Sequence, residues 1–342
     1  MAPDTWETDA AAPRIGWSRL AAWDSVVIVV LVATVLIAGV LVDGFASARN
    51  VNFLILDVAA IAMIAMPMTL VIITGEIDLS VASAVGLTSS VMGQLWLDGL
   101  PLETILVLCI VLGAVLGAVN GIFVTRFGLP SLAVTIGTLA LYRGLAFVVL
   151  GDRAVADFPP SWTRAVTSSL PGTPIPTMLL PLVVLAVVFG LLLHTTPVGR
   201  SLYAIGANDE AARFAGVRVA RTKFWLFVAT GAMSALAGIY WTFRYASARA
   251  DNAAGLELSV VAAVLLGGVS IFGGRGTLPG VMAGVLLLGT LINALRLANV
   301  SAEALNIVTG LLLIISVLTP NMIALGRRAL ARRATATSVE TP

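Results

Sequence analysis

Few residues in this chain have side chains suited to chemistry, and two acids lie close together in Thr74–Ser80, TGEIDLS. Glu76 and Asp78 stand two apart between two long apolar runs. Carboxylates so placed admit three readings: an acid–base pair, an ion site, or the mark of a chain turning at a membrane surface. The single histidine, His194, ends an apolar run, and the single cysteine, Cys109, lies inside one. One histidine cannot build a metal site, a thiol among apolar residues is an inert packed group, and one cysteine allows no disulfide within the chain. Arg143 is the only deep charge, about 13 residues into an apolar run. It reads either as pairing with a carbonyl or carboxylate at a helix interface or as lining a pathway. The only lysine, Lys223 in RTKFW, follows no Gly-x4-Gly-Lys loop, so the sequence carries no phosphate cradle of that type. The stretch GGVSIFGGRG, 267–276, is glycine-rich but falls between apolar runs and reads as a tight turn. No cofactor, no metal and no catalytic residue is expected. An intramembrane hydrolase would need a nucleophile with its base, or paired acids at depth.

The elements that position these residues follow from composition. The chain has 342 residues, 59% hydrophobic and 11% charged, with mean hydropathy +1.02. A soluble domain carries about 25% charged residues, so lipid must be the solvent here. Apolar runs near 25–42, 52–74, 79–97, 103–125, 130–150, 175–194, 222–243, 257–273, 277–295 and 304–324 predict ten transmembrane helices. The third and eighth begin with polar residues. Strands are excluded because the runs are long and do not alternate. The fold class expected is therefore all-α and polytopic. Residues 1–24 read as a cytoplasmic arm, 25–324 as the transmembrane domain and 325–342 as a cytoplasmic tail. With the N-terminus inside, 13 of the 20 Lys and Arg fall on the inner side and six outside, with Arg143 within a span. Ten spans then place both termini in the cytoplasm. The Pro-rich outer loop 151–174 reads as a small external cap.

Ile77–Leu87, IDLSVASAVGL, aligns with Leu256–Leu266, LELSVVAAVLL, at six of eleven positions, with Asp78 on Glu257 and Ser80 on Ser259. Five spans separate the two stretches, so they would open their helices from opposite faces, as in an inverted five-helix repeat. In this reading Gly75, Asp78, Ser80, Glu257 and Ser259 form a helix-start motif used twice, with Asp78 and Ser80 satisfying free N–H groups. Gly113, Gly117 and Gly121 share one helix face, and Gly276, Gly280 and Gly284 are expected to do the same, both for close helix packing.

The exceptional inner loop is 195–221, TTPVGRSLYAIGANDEAARFAGVRVAR. Its centre has the grammar of a short helix: Asn208 as N-cap, Asp209 and Glu210 at the positive end of the dipole, Gly216 just past the end. Such a helix is too short to stand alone and must dock. It either rests on the inner ends of the spans or plugs into another protein, with Phe214 as apolar contact and Arg213 among the charges around it.

Here the sequence resembles a known family. VGRSLYAIGANDEAARFAGV looks like the cytoplasmic coupling segment of ribose-type ABC importer permeases, the family that also serves branched-chain amino acids and sugars. The resemblance continues through TGEIDLSVAS, NGIFVTRFGLPSLAVTIGTLALYRGLA and GLELSVVAAVLLGGVSIFGGRGTLPG, over about 50–320, in the family's order. The outer stretch YASARAD, Tyr245–Asp251, is similar to the rhamnose and autoinducer-2 (Lsr-type) permeases. The resemblance implies a fold like that of type II ABC importers, in the cell (plasma or inner) membrane. It implies a permease that moves a sugar or sugar-like solute of the rhamnose, ribose or autoinducer-2 class and holds no ATPase site. Its partners would be ABC ATPase subunits, a periplasmic or lipid-anchored solute-binding protein, a second permease in a homo- or heterodimer, and membrane lipid, with no nucleic acid. The coupling helix falls on Asn208–Gly216. One residue departs: the family often reads GGIDLS where this chain has Glu76, so that either the turn differs or Glu76 points into water. An ion-coupled secondary transporter is the alternative, with Asp57 and Glu257 as weak candidates for its ion site.

Overall fold

The computed structural model describes residues 17–318; the N-terminal arm before Trp17 and the expected tail, 325–342, lie outside them. The described chain is helical throughout, apart from two isolated bridges, Val155 with Ala248 and Ser169 with Pro176. The helices are α1 (Trp17–Leu41), α2 (Ala48–Ile73), α3 (Val81–Leu97), α4 (Leu102–Thr125), α5 (Ser131–Leu150), α6 (Pro160–Thr167), α7 (Leu179–Thr195), α8 (Pro197–Ala207), α9 (Asp209–Phe214), α10 (Val219–Tyr245), α11 (Leu256–Leu266), α12 (Leu278–Leu297) and α13 (Ala302–Leu318).

Each of the ten apolar runs carries a helix, but among the described residues not every one of these has the length of a full span. Six helices (α1, α2, α4, α5, α10 and α12) are long and apolar enough to cross a membrane, and α7 with α8, bent by 66°, makes a seventh candidate. The expected eighth span, 257–273, is a helix of only 11 residues. At 1.5 Å per residue it covers about 16 Å, half of a hydrocarbon core of roughly 30 Å. It stops because Gly267 and Gly268 follow, the latter at φ +90°. The third run begins its helix only at Val81, after the turn 74–80, and has 17 residues. The tenth is described over Ala302–Leu318.

α2 is the central helix: from Leu56 to Ile73 nearly every residue is buried, against α10, α11, α12 and α7. Its polar start is held by a reciprocal amide pair with α12, in which Asn50 Nδ2 donates to Asn293 Oδ1 (2.8 Å) and Asn293 Nδ2 donates to Asn50 Oδ1 (3.0 Å). The tightest seam joins α4 to α10. Gly113, Gly117 and Gly121 face Gly231, Phe227 and Phe224, and a Cβ at any of the three would strike α10 atoms. The second expected glycine face is shorter than its spacing implied. Gly280 and Gly284 lie on α12 against the backbone of α11, but Gly276 sits before the helix, in a turn at φ +145°. α6 and its flanks form a cap over the opposite end, where Trp162 stacks on Phe243 and the Val155–Ala248 bridge closes the loop.

Candidate functional site

At one end of the bundle lie α8, α9, the α2–α3 turn and the α11–α12 turn. α8 was not anticipated. Its signal is local: Thr196 accepts from the Gly199 N–H, and Pro197 occupies the first helical position. α9 follows at once. Asn208 Oδ1 accepts from the Ala211 N–H at 2.9 Å, Asp209 and Glu210 fill the first turn, Arg213 the last, and Gly216 takes φ +84°. Its single buried residue, Ala212, packs with Ile205 and Val219. Phe214, by contrast, is 93% exposed. α8 is seated on the body at Gly206, where any side chain would collide with the Ile73 carbonyl and with Gly274. The Gly274 N–H donates to that same carbonyl at 2.8 Å, so the glycine-rich turn 267–277 is spent on helix packing.

The turn 74–80 is held from three sides. Gly75 takes the positive φ (+82°), leaving Glu76 in an ordinary conformation. The Ile77 N–H donates to Ser131 Oγ, and Thr135 Oγ1 donates to the Ile77 carbonyl. Asp78 is 1% exposed and accepts from the Ser80 N–H (3.0 Å) and Ser80 Oγ (2.6 Å); Asn120 Nδ2 donates to Ser80 Oγ at 2.8 Å. Burial pushes the Asp78 carboxyl above the usual range, against these donors. Asp78 thus satisfies one N–H at the helix start, whereas Ser80 makes no side-chain cap of its own. Glu76 neither distorts the turn nor points into water. Lys223 Nζ donates to Glu76 Oε1 at 2.7 Å and to Asp209 Oδ2 at 2.8 Å, joining the turn, α9 and α10. No sequence pattern links residues 147 positions apart, and Lys223 was singled out only for the loop it lacked.

The aligned stretch at Leu256 is not a copy in detail. α3 and α11 run in opposite directions relative to the α9 end. However, α11 begins at Leu256, four positions before the residue aligned with Val81, and its N-cap is Gly255. Glu257 therefore lies in the first turn, where Asp78 lies outside its helix.

Before α11 the chain does something hydropathy cannot report. From Ala246 to Gly255 it is non-helical and dips back into the bundle, with Ala246 and Ala253 in the left-handed region. Backbone without helical partners at that depth needs other donors. Arg143 supplies them: Nη1 donates to the carbonyls of Ala250 (2.6 Å) and Asn252 (2.9 Å), and Nη2 to that of Ala82 (3.1 Å). Asn252 Nδ2 donates to Ser89 Oγ at 2.8 Å, adding an anchor to α3. The dip borders an open polar cavity of about 420 Å³ whose lining includes Trp241, Arg249, Asp251, Asn252, Ser259 and Asn306. Arg249 grips Asp251 through two bonds (2.8 and 2.9 Å), and these hydrogen bonds hold the Asp251 carboxyl below the usual range. Sequence reading found Ser259 and missed the others, which converge only through the dip. Asp57, at the same end of the bundle as the dip, pairs with both Arg244 (3.4 Å) and Arg296 (3.1 Å). Among the described residues no group of three or more His, Cys, Asp and Glu has the arrangement of a metal site.

Comparison with known proteins places this architecture. The autoinducer 2 import system permease protein LsrD of Photorhabdus laumondii is 35% identical over 296 residues, covering 83% of this chain and 88% of that protein. The L-arabinose transport system permease protein AraH of Escherichia coli is 36% identical over 325 residues, covering 90% and 94%. LsrD of Yersinia pseudotuberculosis is 33% identical over 296 residues, covering 83% and 88%. No solved structure matches the chain. The family described as branched-chain amino acid transport system / permease component matches residues 50–317, which contain the α8–α9 segment, the turn 74–80 and the dip before α11. The chain belongs to that permease family.

Proposed function

We propose that this chain is the membrane-spanning permease subunit of an ABC importer for a sugar or sugar-like solute, working in the cell's inner membrane with both termini cytoplasmic. Two permease copies, or this chain and a sister permease, would enclose the pathway. ATPase subunits would dock beneath α9, and a solute-binding protein would deliver cargo at the opposite end. The relatives named for autoinducer 2 and L-arabinose support the solute class. The observation that carries the reading is α9 itself: six residues, capped at its start, held to the body by one buried alanine and one ion pair, with Phe214 presented outward. A large apolar side chain at the tip of a polar, docked helix fits a partner's pocket. The chain has no phosphate loop, so ATP would be hydrolysed by the partner. The polar cavity beside the dip supplies a hydroxyl-rich solute with Asn, Asp, Arg and an indole face. The ion-coupled alternative loses its best acid, since Asp57 is neutralised by two arginines.

Substituting Ala212→Pro tests the reading. Proline removes the Ala212 N–H bond to the Asn208 carbonyl and costs about 3 kcal/mol inside a helix. The variant, coexpressed with its ATPase and binding protein, is expected to reach the membrane and to lose ATP-driven uptake. Normal uptake would overturn the placement of coupling at α9.

A further inference from the structure

The chain's one lysine joins three elements that the sequence keeps apart. Lys223 lies in the first turns of α10 with its side chain 11% exposed, and its Nζ touches both Glu76 on the α2–α3 turn and Asp209 at the head of α9. Glu76 is the firm end of this bridge. Its side chain is 16% exposed, and the turn that bears it is bonded to α5 through Ser131 and Thr135 and to α4 through Asn120. Asp209 is the softer end, 37% exposed, on a helix whose apolar attachment is a small patch of Ile205, Ala212, Val217 and Val219. A cation shared by two carboxylates also has a sign consequence. Without it, two like charges face each other with little water, and both contacts fail together. A part-buried ion pair is weak evidence of stability in itself, so its placement between a lightly attached helix and a turn bonded to α4 and α5 is the informative property.

We infer that Lys223 is a positioning residue for coupling: with Glu76 and Asp209 it carries displacement of α9 to the start of α3. This rests on the coupling role proposed above for α9. Without the bridge, movement of α9 is absorbed at its flanks, where Asn208 is extended and Gly216 is left-handed. With it, the push arrives at the turn 74–80, and so at the base of the helix whose upper part holds Asn252 and the dip.

The test uses the assembled complex with its ATPase subunits. A spin label at Leu97→Cys, an exposed site at the far end of α3, reports movement of that helix on addition of ATP; the native Cys109 is buried and leaves the label unique. Lys223→Met is expected to copurify with the ATPase as the parent does, while the ATP-dependent change in the label falls about tenfold. Lys223→Arg keeps a cation that can donate to both acids and is expected to retain the change. Three results would each overturn the inference: an undiminished signal in Lys223→Met, loss of ATPase copurification in that variant, or a signal that Lys223→Arg diminishes as far as Lys223→Met does. Phe214→Asp, which leaves the bridge intact, separates the two claims. If it keeps both copurification and the signal, the coupling role of α9 fails. If it loses copurification while Lys223→Met is silent, only the bridge fails.

Discussion

Arg143 occupies a depth at which an unpaired charge is costly, and its acceptors are three backbone carbonyls of Ala82, Ala250 and Asn252. Two of these, Ala250 and Asn252, belong to the dip, where Arg143 works in place of helical hydrogen bonding, and the third, Ala82, ties it to α3. Arg143→Met would keep much of the volume and orphan the Ala250 and Asn252 carbonyls, each at about 1–3 kcal/mol. The expected outcome is a lower unfolding temperature in detergent, with Arg143→Lys intermediate because three ammonium donors reach fewer acceptors in a fixed geometry. An unchanged unfolding temperature in Arg143→Met would refute this structural role. Sequence reading marked Arg143 as exceptional and offered a carbonyl or carboxylate as its partner, but not which, because carbonyl acceptors leave no mark in side-chain identity. Glu76 has the same lesson in reverse. It was visible as a departure from glycine, yet its meaning lies in Lys223, 147 residues away.

At the scale of elements, helix existence followed directly from apolar runs, and helix length did not. The run 257–273 stays apolar through GGVSIF, so hydropathy continues where the backbone turns at Gly267 and Gly268. The dip 246–255 is likewise set by left-handed residues and by Arg143, which hydropathy does not register. Glycine spacing was the more dependable guide: it marked the close-packing face of α4, although it could not name α10 as the partner or tell that Gly276 would precede its helix. Gly117→Val is a sharp test of that seam. Its Cβ position coincides with the Phe227 carbonyl, and backbone cannot give way as a flexible side chain can. Such overpacking is expected to cost about 1–3 kcal/mol and to lower the yield of folded protein in the membrane. Gly137→Val on α5, where nothing lies within 4 Å, should leave the yield unchanged.

For the whole molecule, the proposed function gives the two ends of the bundle separate tasks. At the α9 end, contacts are made of glycine backbones and one three-way ion pair, suited to receiving force from a partner. At the other end the dip, the polar cavity and the Asp57–Arg244–Arg296 cluster face the side from which solute would arrive. Fold class and α9 were legible from the chain alone, because hydropathy and capping are local, whereas α8 was not singled out. The cavity was not, because its residues meet only after α10, the dip and α13 have packed. The central claim, that this chain moves solute only when a partner hydrolyses ATP, is tested most directly in proteoliposomes. Uptake of labelled L-arabinose and of autoinducer 2 would be followed for the chain alone under proton and sodium gradients, and for the complex with its ATPase subunits and binding protein. ATP-dependent uptake of a solute by the complex, with none by the chain alone, is the predicted result. Gradient-driven uptake by the chain alone would contradict it.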